Sequence, residues 1–247
     1  MTDHWDFYFL HIDEHPASIY VDLGMESQAP LAALPHLALL RLPMLRPRGD
    51  GLSSREEFNT LSAIEDALTA QVQGDDAGYV GRNTCEGHRD FFFYVADPAA
   101  WAKRVDHVMA QYPDYQGRTS TREEADWSTY FNVLLPGPAN RQSMENRQVC
   151  ERLEELGDPL TAARQLDHWS YFPDEASARA FIEEAQSLGF SLTEGPLQAE
   201  DGGAFSVQLA RTDIPSFQGI DAVTLPLFEA SLRHGGDYDG WACHVEK

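Results

Sequence analysis

The residues able to carry chemistry fall into a few short stretches. Arg82, Thr84, Arg89, Asp90 and Tyr94 form a polar set with two guanidiniums in a short span. Residues of these types suit an anion site or a hydrolase-like centre. Arg82 and Arg89 are the candidate anion pair, and the plainer reading is that each pairs with a nearby carboxylate. His11, Asp13, Glu14 and His15 are metal-ligand types, but no standard ligand spacing joins them, so they read as a solvated turn. His168 stands alone inside an expected strand, the setting of a hydrogen-bonded structural histidine. Cys85 has only Arg82 nearby to lower its pKa. No Gly-x-Ser-x-Gly, Walker loop, His-Glu-x-x-His or dinucleotide fingerprint occurs. The sequence therefore assigns no catalytic residue, no metal and no cofactor.

The densest special cluster is Gly235-Gly236-Asp237-Tyr238-Asp239-Gly240-Trp241. Its glycines permit left-handed backbone at a helix end, and Asp-Gly favours a turn into a last strand. Aromatics beside acids at such a corner also suit a protein interface. Asp237, Tyr238, Asp239 and Trp241, with His168, are the candidate partner-binding residues, beside a purely structural role for the same cluster.

The elements that must position these residues follow from periodicity. Trp5 to Ile12 and Ala17 to Leu23 read as a hairpin around Asp13-Glu14-His15-Pro16. A strand runs from about His36 to Leu45. Ser54-Arg55-Glu56-Glu57 is a capping box, followed by Phe58, Leu61, Ile64 or Glu65, Leu68 and Val72 at helical spacing. Tyr79 to Cys85 and His88 to Val95 form a hairpin around Glu86-Gly87. Pro98 opens a helix to about Gln111. An extended piece follows near residues 115–121, and Trp127 to Leu135 reads as a strand.

Pro136-Gly137-Pro138 breaks regular structure, so two domains are expected, 1–137 and 138–247. Beyond it comes a helix from about Ala139 to Leu156, then a strand from Leu166 to Phe172. Asp174 caps the next helix. Strands from Phe190 to Leu197 and Ala204 to Arg211 flank Glu200-Asp201-Gly202-Gly203. A helix starts at Asp221 or Thr224 with Pro226 in its first turn, and a strand runs from Trp241 to Val245. The expected class is α+β. Each domain holds a ferredoxin-like βαββαβ unit, an antiparallel sheet with helices on one face and the other face available. The first domain adds an N-terminal β-hairpin.

Composition narrows the function classes. The chain has 247 residues, 43% of them hydrophobic, and a formal net charge of -22. Residues 1–138 and 139–247 each carry a balance of -11, so the acidity is not a tail on a neutral domain. A field of this sign repels phosphate, which argues against direct nucleic-acid binding and against an anionic membrane surface. It favours solubility or a basic protein partner. Three separated cysteines suit a reducing compartment. Met1-Thr2-Asp3-His4 lacks the pattern of a secretory signal, so the cytoplasm is the expected location.

The second half resembles the regulator of ribonuclease activity B family, inhibitors of ribonuclease E. The matching residues include Asn146-Arg147-Gln148, Gly157-Asp158, Arg164, His168-Trp169, Tyr171-Phe172, Arg211 and the Gly235 to Trp241 ending. The first 135 or so residues resemble a bacterial domain family of unknown function, number 695. That likeness rests on Trp5, Phe7-Tyr8, Gly81-Arg82-Asn83-Thr84, Arg89, Tyr94, Trp127 and Tyr130 among others. The resemblance implies a non-enzymatic, acidic, protein-binding regulator of RNA turnover, with ribonuclease E or its scaffold region as the basic partner. The rival readings are a hydrolase-like enzyme with a site around Arg82 and Arg89, and a structural component of an oligomer.

Overall fold

The computed structural model describes residues 2–199 and 203–247. Of the turn expected at Glu200-Asp201-Gly202-Gly203, only Gly203 lies within them. The chain divides into two compact units, Met1–Pro136 and Gly137–Lys247.

In the first unit, strands β1 (Trp5–Ile12) and β2 (His15–Asp22) pair directly. The loop between them is only Asp13 and Glu14, both at positive φ, as a type I′ turn requires. Then follow β3 (His36–Pro43), α1 (Arg55–Val72), β4 (Ala77–Cys85), β5 (His88–Val95), α2 (Pro98–Met109) and β6 (Arg118–Glu123). The sheet order is β1-β2-β4-β5-β3-β6, with every neighbour antiparallel. From β3 onward the first and third strands of the βαββαβ run lie centrally, flanked by the fourth and second. This is the interleaving a split βαβ run produces. The hairpin β1–β2 extends the sheet past β4.

Both helices bury an apolar stripe against this sheet. Leu61, Ile64, Leu68 and Val72 of α1 and Trp101, Val105 and Val108 of α2 join Phe91 and Phe93 of β5 in one core. Asp97 caps α2, its carboxylate accepting from the amides of Ala99 and Ala100.

Three expectations change here. The capping box at Ser54 does not form, since the Ser54 side chain makes no cap hydrogen bond. The Glu57 carboxylate is drawn away instead. It accepts from the amides of Leu45 (2.7 Å) and Arg46 (2.8 Å) and from the Tyr115 hydroxyl (2.9 Å). Phe58 lies off the buried stripe and is 53% exposed. Finally, Trp127 to Leu135 is not a strand. Tyr130–Leu134 forms one wide helical turn, and the edge position belongs to β6. Side-chain anchors explain this. Trp127 stacks on Tyr94 at 3.9 Å between ring centroids, its Nε1 donates to Leu34 O, and the Tyr130 hydroxyl donates to Asp22 O. The segment thus plugs the sheet face opposite the helices, which is not left open in this unit.

The second unit runs α3 (Pro138–Glu155), β7 (Arg164–Phe172), α4 (Glu175–Ser187), β8 (Ser191–Gln198), β9 (Phe205–Asp213), α5 (Ile220–Arg233) and β10 (Asp237–Ala242). Its sheet order is β10-β7-β9-β8, all antiparallel, the same interleaving as in the first unit. Phe172, Phe181, Phe190, Leu209, Leu227 and Trp241 centre its core. Because α5 begins at Ile220, Pro226 sits inside the helix and not in its first turn. The last strand begins at Asp237, four residues before the expected start.

Candidate functional site

The parity of β7 sorts the residues of the second unit. Arg164, Leu166, His168, Ser170 and Phe172 are buried under the helices, while Gln165, Asp167, Trp169 and Tyr171 point to the other face. Register then fixes their neighbours on that open face. One row across the four strands is Leu197, Ser206, Tyr171, Asp237, and the next is Glu194, Gln208, Trp169, Gly240. Leu197 is 49% and Tyr171 39% exposed, and Glu194 and Asp237 are exposed. The face thus mixes apolar and aromatic surface with carboxylates.

Three of the sequence candidates lie elsewhere. His168, Tyr238 and Trp241 are buried and build the corner behind this face, so they offer no side chain to a partner. The reason is again parity: each sits on the helix-covered side. His168 Nδ1 and the Tyr238 hydroxyl are hydrogen-bonded at 2.8 Å. Burial, reinforced by the Arg211 charge, pushes the His168 pKa down to about 3, so the ring is neutral at pH 7. Burial, then the charge of Glu145, raises that of Tyr238. The Phe190 ring stands perpendicular to the imidazole, 5.1 Å between centroids, and the Arg211 guanidinium lies over the Phe190 ring at 4.5 Å.

Asp237 and Asp239 remain exposed, as an interface would need. They crowd Glu145 on α3. Its pKa is raised first by partial burial, then by these two carboxylates, against the pull of Arg141. A bulge lies between Tyr238 and Gly240, with Gly240 at φ +107. The two glycines before them differ in role. Gly235 takes the left-handed conformation at φ +70, whereas Gly236 is needed for space, since a Cβ there would fall 2.2 Å from the Phe172 ring.

Two buried devices were not singled out as site residues from the sequence. Asn146 is fully buried and fully bonded. Its Nδ2 donates to Asp221 and Thr224, and its Oδ1 accepts from Trp241 Nε1 and Gln142. It fastens α3, α5 and β10 together. Arg164 and Asp158 form a buried ion pair at 2.6 Å, and Asp158 also accepts from the amides of Leu160 and Glu246. Burial opposes the Asp158 charge, but those amides and Arg164 hold its carboxyl below the usual range. Both Asn146 and Arg164 stand in the run of residues that carries the family resemblance, which was the available signal.

In the first unit, Arg82 and Arg89 do come together, over one carboxylate. Arg82 Nε donates to Glu65 Oε2 at 2.7 Å, and Arg89 Nη1 lies 3.8 Å from the same atom. Arg89 Nε donates to Thr84 Oγ1 at 3.1 Å, and the Arg82 guanidinium lies over the Tyr20 ring. A cavity of about 340 Å³ borders both arginines. Asp90 is not part of this group, because it points to the other face and binds Arg41 through two hydrogen bonds. Tyr94 is likewise on that other face, donating to Glu124. Cys85 is buried, and its thiol pKa is raised by burial and then by Glu86, which favours the unreactive thiol. His11, Asp13, Glu14 and His15 are exposed around the first hairpin. Among the described residues no three or more His, Cys, Asp or Glu side chains gather as metal ligands. No helix among them is long and apolar enough to cross a membrane.

The fold and these sites define a two-unit α+β protein with a buried polar corner behind an acidic, aromatic sheet face. The family of unknown function DUF695 matches residues 3–135, more than half of the chain, and the chain belongs to that family. Residues 143–243 match the family described as regulator of ribonuclease activity B. A search of curated proteins returns no match. Among solved structures the chain is similar to an unknown protein from Galdieria sulphuraria, 13% identical, with a TM-score of 0.23. That match covers 85% of this chain and 99% of the other.

Proposed function

We propose that the second unit regulates a ribonuclease E-type enzyme by direct contact and without catalysis of its own. The match of residues 143–243 to the regulator of ribonuclease activity B family carries this reading. The open sheet face supplies a surface suited to it. Trp169 and Tyr171 give amphipathic anchors, and Asp237, Asp239 and Glu194 give charge complementary to a basic partner. The overall charge of -22 would speed encounter with such a partner and slow encounter with RNA itself.

The test is binding of the full chain to the scaffold region of a ribonuclease E-type enzyme at low salt. Trp169→Ala and Tyr171→Ala should each weaken the complex about tenfold or more, as loss of an aromatic anchor does. Asp237→Asn with Asp239→Asn should mainly slow association and flatten its dependence on salt. Unchanged affinity in both aromatic variants would remove the open face from the reading. No binding at low salt would sink the reading itself.

A further inference from the structure

We propose that the cavity between the added hairpin and the start of α1 binds a small molecule with one oxyanion head on an aromatic body. This inference concerns the first unit alone and does not rest on the ribonuclease reading.

The hairpin β1–β2 carries the sheet beyond β4. Register places Phe9, Ser18, Thr84 and Arg89 in one row across β1, β2, β4 and β5, and Phe7, Tyr20 and Arg82 in the row beside it. Phe58 and Ser53, at the start of α1, close the other side. Phe58 is turned out of the buried stripe of α1. Its exposure fits a wall of this cavity.

The charge of the lining is the reverse of the chain's. Residues bordering the cavity include Arg48, Arg82 and Arg89 and no Asp or Glu, in a protein with 40 acidic residues and 18 basic ones. Asp50 neutralises Arg48 at the rim. Glu65 serves both Arg82 and Arg89, so the inner pair retains one positive charge. Arg89 is 98% buried, since its exposed fraction is 2%. Among the described residues the one hydrogen bond of its side chain is through Nε, to Thr84. The terminal nitrogens of Arg82 also lack hydrogen bonds among the described residues. A guanidinium in that state has donors left for a bidentate oxyanion. Burial and then the neighbouring Arg82 push the Arg89 pKa down to about 10, a penalty that a bound anion would relieve. The hydroxyls of Ser18, Ser53 and Thr84 add polar contacts around the head. The rings of Phe7, Phe9 and Phe58 supply flat walls for the body, and the volume of about 340 Å³ suits a small ligand. An adjoining cavity shares Arg82 and Tyr20 but is bordered by Asp3, Glu65 and Asp66, so an anion is directed to the first one.

Calorimetric titration of the full chain tests this with four probes: phenyl phosphate, benzoate, benzyl alcohol and inorganic phosphate. One equivalent of an aryl anion should bind, about tenfold or more tighter than benzyl alcohol, as hydrogen bonds to charged groups imply. The better aryl anion should also bind about tenfold tighter than inorganic phosphate, because its ring is buried. Preference for phenyl phosphate assigns a phosphate monoester head, and preference for benzoate a carboxylate. Arg89→Gln should abolish the difference between anionic and neutral rings. Should that buried change prevent folding, Phe58→Glu decides. It is exposed, keeps the arginines, and should weaken the aryl anions about tenfold with an unchanged circular dichroism spectrum. Equal binding of benzyl alcohol and the anions, unchanged affinity in Phe58→Glu, or no binding of either aryl anion at millimolar concentration would overturn the proposal.

Discussion

His168 and Trp169 are chain neighbours with opposite fates. One is buried beside Tyr238, and the other borders the open face. Aromatic and acidic residues near the end of the chain were legible as one cluster. Which of them face outward was not, because a strand reverses its side chains at every residue and the exact register was not readable. The structure buries Tyr238 and Trp241 and leaves Trp169, Tyr171, Asp237 and Asp239 outside the core. His168 also sets a pH response. Its folded pKa of about 3 lies below the ordinary 6.5, so the unfolded chain binds more protons between these values. The stabilisation is full above the unfolded pKa and is lost as pH falls toward the folded one. Denaturation of the full chain at about pH 7 and about pH 4.5 should show this loss in the second unit, and His168→Gln should reduce it. An equal loss in the variant would assign the acid sensitivity to other groups.

Elements were legible where periodicity was strong and ends were marked. The stripe Leu61, Ile64, Leu68, Val72 and the Pro98 start both hold in the structure. The failures share a cause. At Ser54 and at Trp127 to Leu135, distant groups outcompete the local pattern: the amides of Leu45 and Arg46 take Glu57, and Tyr94 takes Trp127. Such partners lie well beyond the next helical turn and leave no mark on local spacing. At the junction of α5 and β10 the sequence marked both glycines, but only contact with Phe172 explains Gly236. Gly236→Ala should therefore destabilise the second unit by about 1–3 kcal/mol in chemical denaturation, as overpacking does. Adding Phe172→Leu should recover part of that loss. A neutral Gly236→Ala would show that the Phe172 ring moves freely.

For the whole molecule, the even division of charge has a consequence for assembly. Each half carries -11, split near Pro138, so neither needs the other for its electrostatic character. Each unit also has its own core. Expressed alone, residues 138–247 are expected to unfold in one cooperative step and to show the same binding to the proposed ribonuclease scaffold as the full chain. Loss of cooperativity in the fragment would mean that residues 1–137 are needed to complete it. Salt should weaken the association of the fragment and the full chain alike, since the attraction between exposed charges is screened within about 8 Å at physiological ionic strength.

The outer strands of the second sheet carry a further consequence. β8 contains Pro196 and two register irregularities, and β10 is bulged between Tyr238 and Gly240. A strand broken in this way is a poor template for another chain's backbone. The sheet cannot readily lengthen by recruiting a foreign strand, whether from an aggregating neighbour or from a partner. The contact proposed for this unit would therefore fall to side chains on its face, where single substitutions can tune it, and not to a continuous backbone ladder that reads little sequence.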